Sequence, residues 1–266
     1  MLSTNRPLTQ SRHNGRTESW ILFSGIALSL AIIGCSPSSP PADSRDPAAD
    51  TIRDSQTDPS LSEPTFAQQI ADVQASQTTR IDVTTKITDS DLPQLSNLDS
   101  LTDLLIDGGV VTDKGLAAIA TCPNLKHLRL RFSPISDAGM QQIAQMAELE
   151  ILNLPQSQVT AAGIAELKQL SKLRQLRLGS THATAAICQP ISELTGLRSL
   201  HLIDIPVDDE NLLQLADLKS LRSLYIDGGR VTDAGWQAMF EKRRDLHIHI
   251  DQAHHDLDPG KHDPDH

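Results

Sequence analysis

The chain has 266 residues and a net charge of −11, and 38% of its residues are hydrophobic while only 3% are aromatic. The negative charge repels phosphate groups, so the composition argues against nucleic acid as a partner. The scarcity of aromatic residues favours a core of aliphatic side chains. Cys35, Cys122 and Cys188 are too few and too scattered for a disulfide framework or a paired-thiolate metal site.

The first 35 residues have the pattern of an export signal. Arginines precede an apolar run from Trp20 to Ile33, which is shorter than the about 20 residues that a membrane-spanning helix needs. The run ends in Ile-Ile-Gly-Cys35, which resembles the lipobox of bacterial lipoproteins. This resemblance implies that residues 1–34 are a signal peptide and that Cys35 is lipidated. The expected location is the cell envelope, at the outer membrane facing the periplasm or the cell surface. The alternatives are an uncleaved signal anchor and a signal peptide that a cysteine follows by chance.

Residues 35–63 are rich in Ser, Pro, Asp and Ala and contain almost no large apolar side chain. Such a segment cannot bury enough surface to offset the entropy lost on ordering. We therefore expect a disordered tether after the lipidated cysteine.

Apolar residues then recur at an interval of 24 residues. Each copy opens with the pattern L-x-x-L-x-L, and the opening residues are Leu101, Leu125, Leu149, Leu173, Leu197 and Leu221. Ile248 and Ile250 keep the same phase in a last partial copy. A fixed interval over six copies indicates a stack of similar structural units.

The second half of each unit has the pattern of a helix. A Val or Ile, a Thr or Ser and usually an Asp follow the strand, as in Val111-Thr112-Asp113, and apolar residues come next at helical spacing. The hydroxyl is a suitable N-cap, and the carboxylate lies at the positive end of the helix. A glycine in the first turn, such as Gly115 or Gly139, allows close approach of the neighbouring helix.

The complete unit resembles the leucine-rich repeat, in its helix-bearing, ribonuclease-inhibitor-like branch, over about residues 80–251. The resemblance implies an α/β fold, a right-handed β/α solenoid or horseshoe with a parallel sheet on the concave side and helices on the convex side. Where the best-known motif has Asn or Cys, this chain has Gly109, Ser133, Ser157, Thr181, Ile205 and Gly229. We therefore expect no continuous side-chain ladder at that position.

The solenoid is expected to span residues 64–251, with a cover at each end. A helix from Thr65 to Ser76 is predicted as the N-terminal cap. At the other end, the strand from Leu246 to Asp251 is predicted to form a polar sheet edge. Residues 252–266, rich in Asp and His, are expected to be a disordered tail.

The side chains between the strand leucines point away from the core and form the candidate ligand surface. Its middle column contains Leu105, Arg129, Asn153, Arg177, His201, Tyr225 and His249. Basic residues lie near the centre of this surface and carboxylates toward both ends. The residues expected to bind a ligand are Arg129, Arg131, Arg177, His201 and Tyr225. They predict recognition of an anionic group on a protein or an anionic polymer; the alternative is an ordinary solvated sheet face.

Histidines concentrated toward the C terminus suggest a second hypothesis. His247, His249 and Asp251 alternate along the last strand, and Asp227 lies one repeat earlier in the column of Asp251. Imidazole and carboxylate groups bind divalent metals, so these four residues are a candidate metal site. We expect no other cofactor. The alternative is that polar residues protect the edge strand beside a tail that binds metals weakly.

We expect no enzymatic activity, because the sequence contains no nucleophile-and-base motif, phosphate-binding loop, dinucleotide-binding glycine pattern or zinc-protease motif. Cys122 and Cys188 replace apolar residues of other copies and are expected in the core. The sequence therefore favours a non-enzymatic interaction module of the cell envelope. A metal-binding or metal-sensing envelope protein is the alternative.

Overall fold

The computed structural model describes residues 63–251 and the backbone of residues 253–254. The predicted signal peptide, Cys35 and nearly all of the predicted tether and tail lie outside the described residues. Within the described ranges, every helix is too short or too polar to cross a lipid bilayer.

The strands of the described chain are short and follow one another at the repeat interval. They are β1 (Arg80–Val83), β2 (Ile87–Thr88), β3 (Asp103–Ile106), β4 (Gly109–Val110), β5 (His127–Leu130), β6 (Ile151–Ser157), β7 (Gln175–Ser180), β8 (Ser199–Ile203), β9 (Ser223–Asp227), β10 (His247–Ile250) and β11 (Ala253–His254). All but β2 and β4 form one sheet in chain order, while β2 and β4 form a separate pair. Neighbouring strands of the main sheet are parallel, except for β11, which is antiparallel to β10.

Helices connect the strands and pack against one another in the same order. They are α1 (Phe66–Gln74), α2 (Asp113–Ile119), α3 (Asp137–Ile143), α4 (Ala161–Glu166), α5 (Cys188–Ser192), α6 (Asp209–Gln214) and α7 (Asp233–Lys242). Short 3-10 segments occur at Leu92–Leu95, Leu167–Gln169, Ala185–Ile187 and Leu215–Asp217. This arrangement confirms the predicted α/β solenoid with a parallel sheet.

The 24-residue interval sets the strand register. Leu128 pairs with Leu152, and Leu152 pairs in turn with Leu176. These leucines are buried between the sheet and the helices, in one continuous core. The first repeat is one residue shorter, because Ile81 pairs with Leu104.

The two ends of the stack are covered differently. At the N terminus, Thr65 caps α1 by accepting a hydrogen bond from the N–H of Gln68, and the helix buries an apolar face as predicted. At the C terminus, the prediction of an edge strand reaching Asp251 is wrong, because β10 ends at Ile250 and is covered by β11. The first residues of the predicted disordered tail therefore belong to the sheet. Asp251 has a φ of 49°, and its carboxylate accepts a hydrogen bond from the N–H of Gly228 (2.8 Å), so it binds the turn after β9 in the previous repeat.

An aspartate in the first turn of a helix binds the N-cap of the next repeat. Oδ1 of Asp113 accepts a hydrogen bond from the N–H of Ser136 (2.9 Å), and Oδ2 accepts one from its hydroxyl (2.5 Å). The same hydroxyl accepts a bond from the N–H of Ala138 inside α3. Equivalent pairs are Asp89 with Thr112, Asp137 with Thr160, and Asp209 with Thr232. We call these contacts the aspartate ladder.

The ladder explains the glycines of the first turn. A Cβ placed on Gly139 would lie 2.3 Å from Oδ1 of Asp113, and Gly115, Gly163 and Gly235 face the same obstacle at 2.2–2.5 Å. Where the aspartate is absent, the glycine is absent too. Ala161 occupies the aspartate position, and Ile187 occupies the glycine position of the next repeat. Thr184, the N-cap residue between them, makes no side-chain capping bond. In the following pair of repeats, Ala185 occupies the aspartate position and Asn211 the glycine position. The glycine thus makes room for a carboxylate of the previous repeat.

We predict that Asp113→Ala lowers the free energy of unfolding by about 2–3 kcal/mol, because two charge-assisted hydrogen bonds to the next repeat are lost. Asp233→Ala is the matched control. Asp233 has the same helix position but no later helix N-cap in the described chain, so only about 0.3–1 kcal/mol from the helix-end charge is at stake. Urea unfolding followed by circular dichroism measures both. Equal losses would mean that the helix dipole, and not the ladder, accounts for the aspartates.

Candidate binding groove

The face of the sheet that points away from the core contains a groove of about 390 Å³. It is lined by His127, Arg129, Ile151, Leu152, Asn153, Gln175, Leu176, Arg177, Ser199, His201 and Tyr225. Four of the five predicted ligand-binding residues therefore line one depression, and Arg131 lies outside its lining. We call this surface the groove face.

Carboxylates neutralise the N-terminal end of the groove face. Nη2 of Arg129 lies 2.6 Å from Oδ2 of Asp107 and 3.6 Å from Oδ1 of Asp82. Arg131 approaches the same Asp107 oxygen at 3.9 Å. Leu105, predicted to face solvent in the middle column, is buried instead. It lies between Asp82 and Arg129 in the sheet, and their ion pair crosses above it.

The histidines at the two ends of the groove also face carboxylates. Nδ1 of His127 lies 3.4 Å from Oδ1 of Asp103. Burial lowers the pKa of His127 below its usual 6.5, and the nearby Asp103 only partly opposes this shift. His127 is therefore mainly neutral at pH 7. Nε2 of His201 lies 2.9 Å from Oδ2 of Asp227, so this imidazole and the carboxylate form a pair.

Arg177 at the centre of the groove differs from these groups. It is exposed on β7, between Asn153 on β6 and His201 on β8. It makes no ion pair with any residue in the described part of the chain. Beside it, Oδ1 of Asn153 is buried and has no hydrogen-bond partner among the described residues. An anionic group that enters the groove therefore meets the positive charge of Arg177 without first displacing a described carboxylate.

Aromatic rings continue the groove toward the C-terminal end. The ring centroids of His201 and Tyr225 are 5.4 Å apart, and Tyr225 stacks on His249 at 4.6 Å with an interplanar angle of 21°. Nε2 of His249 lies 2.7 Å from Nε2 of His247. Rings stacked in this way have fixed orientations and present flat apolar surface to a ligand.

The four predicted metal ligands do not converge. Asp227 is paired with His201, and Asp251 accepts a bond from Gly228. Of the four, only His247 and His249 have adjacent side-chain atoms, their ring nitrogens. Among the described side chains, no group of three or more His, Cys, Asp or Glu residues has an arrangement that could hold a metal ion.

One exposed residue was missed at the sequence level. Phe132, in the turn after β5, has 54% of its surface exposed, and the guanidinium of Arg131 lies 5.5 Å from its ring centroid. The available signal was its position in the repeat. The equivalent residues 24 positions before and 96 positions after it are Gly108 and Gly228.

Both described cysteines lie in the core, as predicted. Burial raises the pKa of Cys122 to about 11 and that of Cys188 to about 12. Both thiols are therefore protonated at neutral pH and poor nucleophiles.

Comparison with known proteins agrees with the repeat. The family model described as Leucine Rich repeat matches residues 121–144. This match agrees with the in-register strands and the helical connections, which have the fold of a leucine-rich-repeat solenoid. No curated protein matches.

Two solved structures illustrate the likeness. An internalin from Listeria monocytogenes is 18% identical with a TM-score of 0.42, and the match covers 69% of this chain and 63% of that one. Internalin C2 from the same organism is 19% identical with a TM-score of 0.44, covering 68% of this chain and 83% of that one. The chain thus spans less than two thirds of the first internalin.

Proposed function

We infer that the protein is a non-enzymatic interaction module, anchored in the cell envelope, that binds a protein partner in the groove. The observation that carries this inference is the groove on the sheet face, with a cation at its centre that makes no ion pair with a described residue. A shallow groove lined by both polar and apolar side chains suits a segment of another protein. An anionic polymer is less favoured, because Asp107 already pairs with Arg129 at 2.6 Å, which leaves fewer cations for a long run of negative charges.

Arg177 is the residue on which this proposal depends. It binds a carboxylate of the partner in a charge-assisted hydrogen bond. His201 and Tyr225 provide the apolar surface beside it. Arg129 has a positioning role instead, because its side chain ties β5 to Asp82 on β1 and to Asp107 after β3.

We predict that Arg177→Glu weakens capture of the partner from an envelope extract by about tenfold or more, because repulsion replaces attraction at the same point. The melting temperature should stay unchanged, since Arg177 makes no ion pair within the described chain. Lys168→Glu is the control for capture, because Lys168 is exposed after α4, away from the groove. Its ion pair with Glu193 (2.8 Å) is lost in this variant, so only capture is compared between the two. Equal loss of capture in both variants would show that overall charge, and not the groove, governs binding.

The envelope location depends on the apolar run and on Cys35. A single acyl chain gives only marginal membrane binding, whereas more than one chain anchors a protein stably. We propose that lipidated Cys35 supplies such an anchor and that the acidic solenoid extends from it on the tether.

We predict that Cys35→Ser releases the protein into the soluble fraction. Fractionation of the producing cells, followed by a high-salt wash of the membranes, measures this. A variant that remains with the membranes would contradict the lipoprotein hypothesis and favour the uncleaved signal anchor.

A second candidate function is binding of a divalent transition metal by His247 and His249. The observation that favours it is their Nε2 separation of 2.7 Å, held by stacking of Tyr225 on His249. Metal–nitrogen bonds of about 2.05 Å place two cis ligands about 2.9 Å apart at a right angle and about 3.3 Å apart at a tetrahedral angle. The observed 2.7 Å is the distance of a hydrogen bond between the two rings, so a bound metal would replace the shared proton, and Cu²⁺ binds imidazole most strongly among the divalent first-row metals.

We predict one saturable Cu²⁺ site in the full chain that His247→Ala combined with His249→Ala abolishes. Calorimetric titration measures the site, and electron paramagnetic resonance detects its nitrogen ligands. Replacing the tail residues His255, His262 and His266 by alanine should leave this site in place. The opposite result, with binding lost only in the tail variant, would assign the metal to the tail.

A further inference from the structure

Phe132 has a backbone conformation that is unfavourable for a large side chain. Its φ is 55°, in the left-handed region, where a Cβ crowds the following carbonyl. The same repeat position is left-handed at Asp204, with a φ of 53°, and at Gly228, with a φ of 71°. Glycine adopts this region without strain, and Asp tolerates it better than other residues. In this left-handed conformation Phe132 is thus less favourable than Asp204 or Gly228.

The strain does not serve packing, because more than half of Phe132 is exposed. Large hydrophobic residues with such exposure are few in the described chain. They are Phe132 and Val110, at 54% and 45%. Both follow the C-terminal ends of strands in neighbouring repeats, at the same edge of the sheet.

The turn that presents Phe132 is held on both sides. The backbone N–H of Phe132 donates a hydrogen bond to Oε1 of Gln156 in the next repeat (3.1 Å). The hydroxyl of the buried Ser133 donates to the carbonyl of Arg131 (3.1 Å) and accepts a bond from the N–H of Val111 (3.2 Å). The aromatic ring therefore projects from a fixed backbone, so its binding costs little conformational entropy.

We propose that Phe132 and Arg131 form the anchor of a second recognition surface, which binds a polypeptide segment with a large apolar side chain next to an Asp or Glu. The ring of Phe132 takes up the apolar side chain. The side chain of Arg131 is half-exposed, and its one ion-pair contact in the described chain is a long one, 3.9 Å to the Asp107 carboxylate that Arg129 also contacts. Arg131 therefore binds the acidic side chain of the segment. An exposed aromatic residue and an arginine are the residue types that most often dominate protein interfaces. The proposal rests on the interaction function and names a further part of the partner.

The test uses a phage-displayed library of random peptides panned on the full chain. We expect selected peptides to pair an acidic residue with a large apolar one. Phe132→Gly should weaken their binding by about thirtyfold or more, the loss expected when an interface hot spot is truncated. The same variant should melt at the temperature of the parent or a few degrees above it, because glycine relieves the left-handed strain. Phe132→Asn should behave in the same way.

Asp204→Gly is the matched control, because it changes the same repeat position with the same backbone conformation. It should leave peptide binding unchanged. A lower melting temperature for Phe132→Gly, or peptides that bind it as well as the parent, would overturn the inference. Peptides that require Arg177 but not Phe132 would also overturn the inference, while leaving the groove proposal intact. Peptides that require Phe132 but not Arg177 would support the anchor as a surface that acts separately from the groove.

Discussion

The aspartate ladder is the interaction on which the rest of the structure depends. In a stack, each repeat contacts only its neighbours, so the stability of the whole is set by what joins one repeat to the next. Burial of leucine provides most of the driving force but little directional restraint. The carboxylate of Asp113 provides direction, because it binds the residue at which the next helix begins. Where the ladder is present, successive helices therefore start at equivalent heights.

The groove owes its character to pairing between strands. The protein is acidic overall, and its carboxylates on the sheet face are used to neutralise neighbouring cations. Arg129 with Asp82 and His201 with Asp227 each join residues of different strands. Such pairs are only partly exposed, so they are weakly screened by salt and rigidify the face. The consequence is a surface of low net charge on which one cation, Arg177, stands out.

The repeat interval made much of this predictable. It located the strands, the helices, the buried leucines and most of the groove lining, because one residue's position predicts that of its equivalent 24 residues later. Contacts that break this equivalence were not predictable. Asp82 comes from the shortened first repeat, and β11 arises from a segment without repeat character. The left-handed φ of Phe132 depends on a turn whose residues vary between repeats, so composition alone did not reveal it.

The ladder is missing on both sides of α5, so the helices there are joined differently from the others. Ala161 and Ala185 occupy the aspartate positions there, and Thr184 begins a 3-10 turn without a side-chain cap. At these two junctions the helices therefore meet without the carboxylate bond, and the paired strands β6 to β9 join the repeats. Arg177 and His201 lie on the strands that flank it, β7 and β8. The centre of the groove thus lies on the two strands that flank the helix without the ladder. A ligand bound to both strands would add a connection between the two repeats at the place where the carboxylate bond is missing.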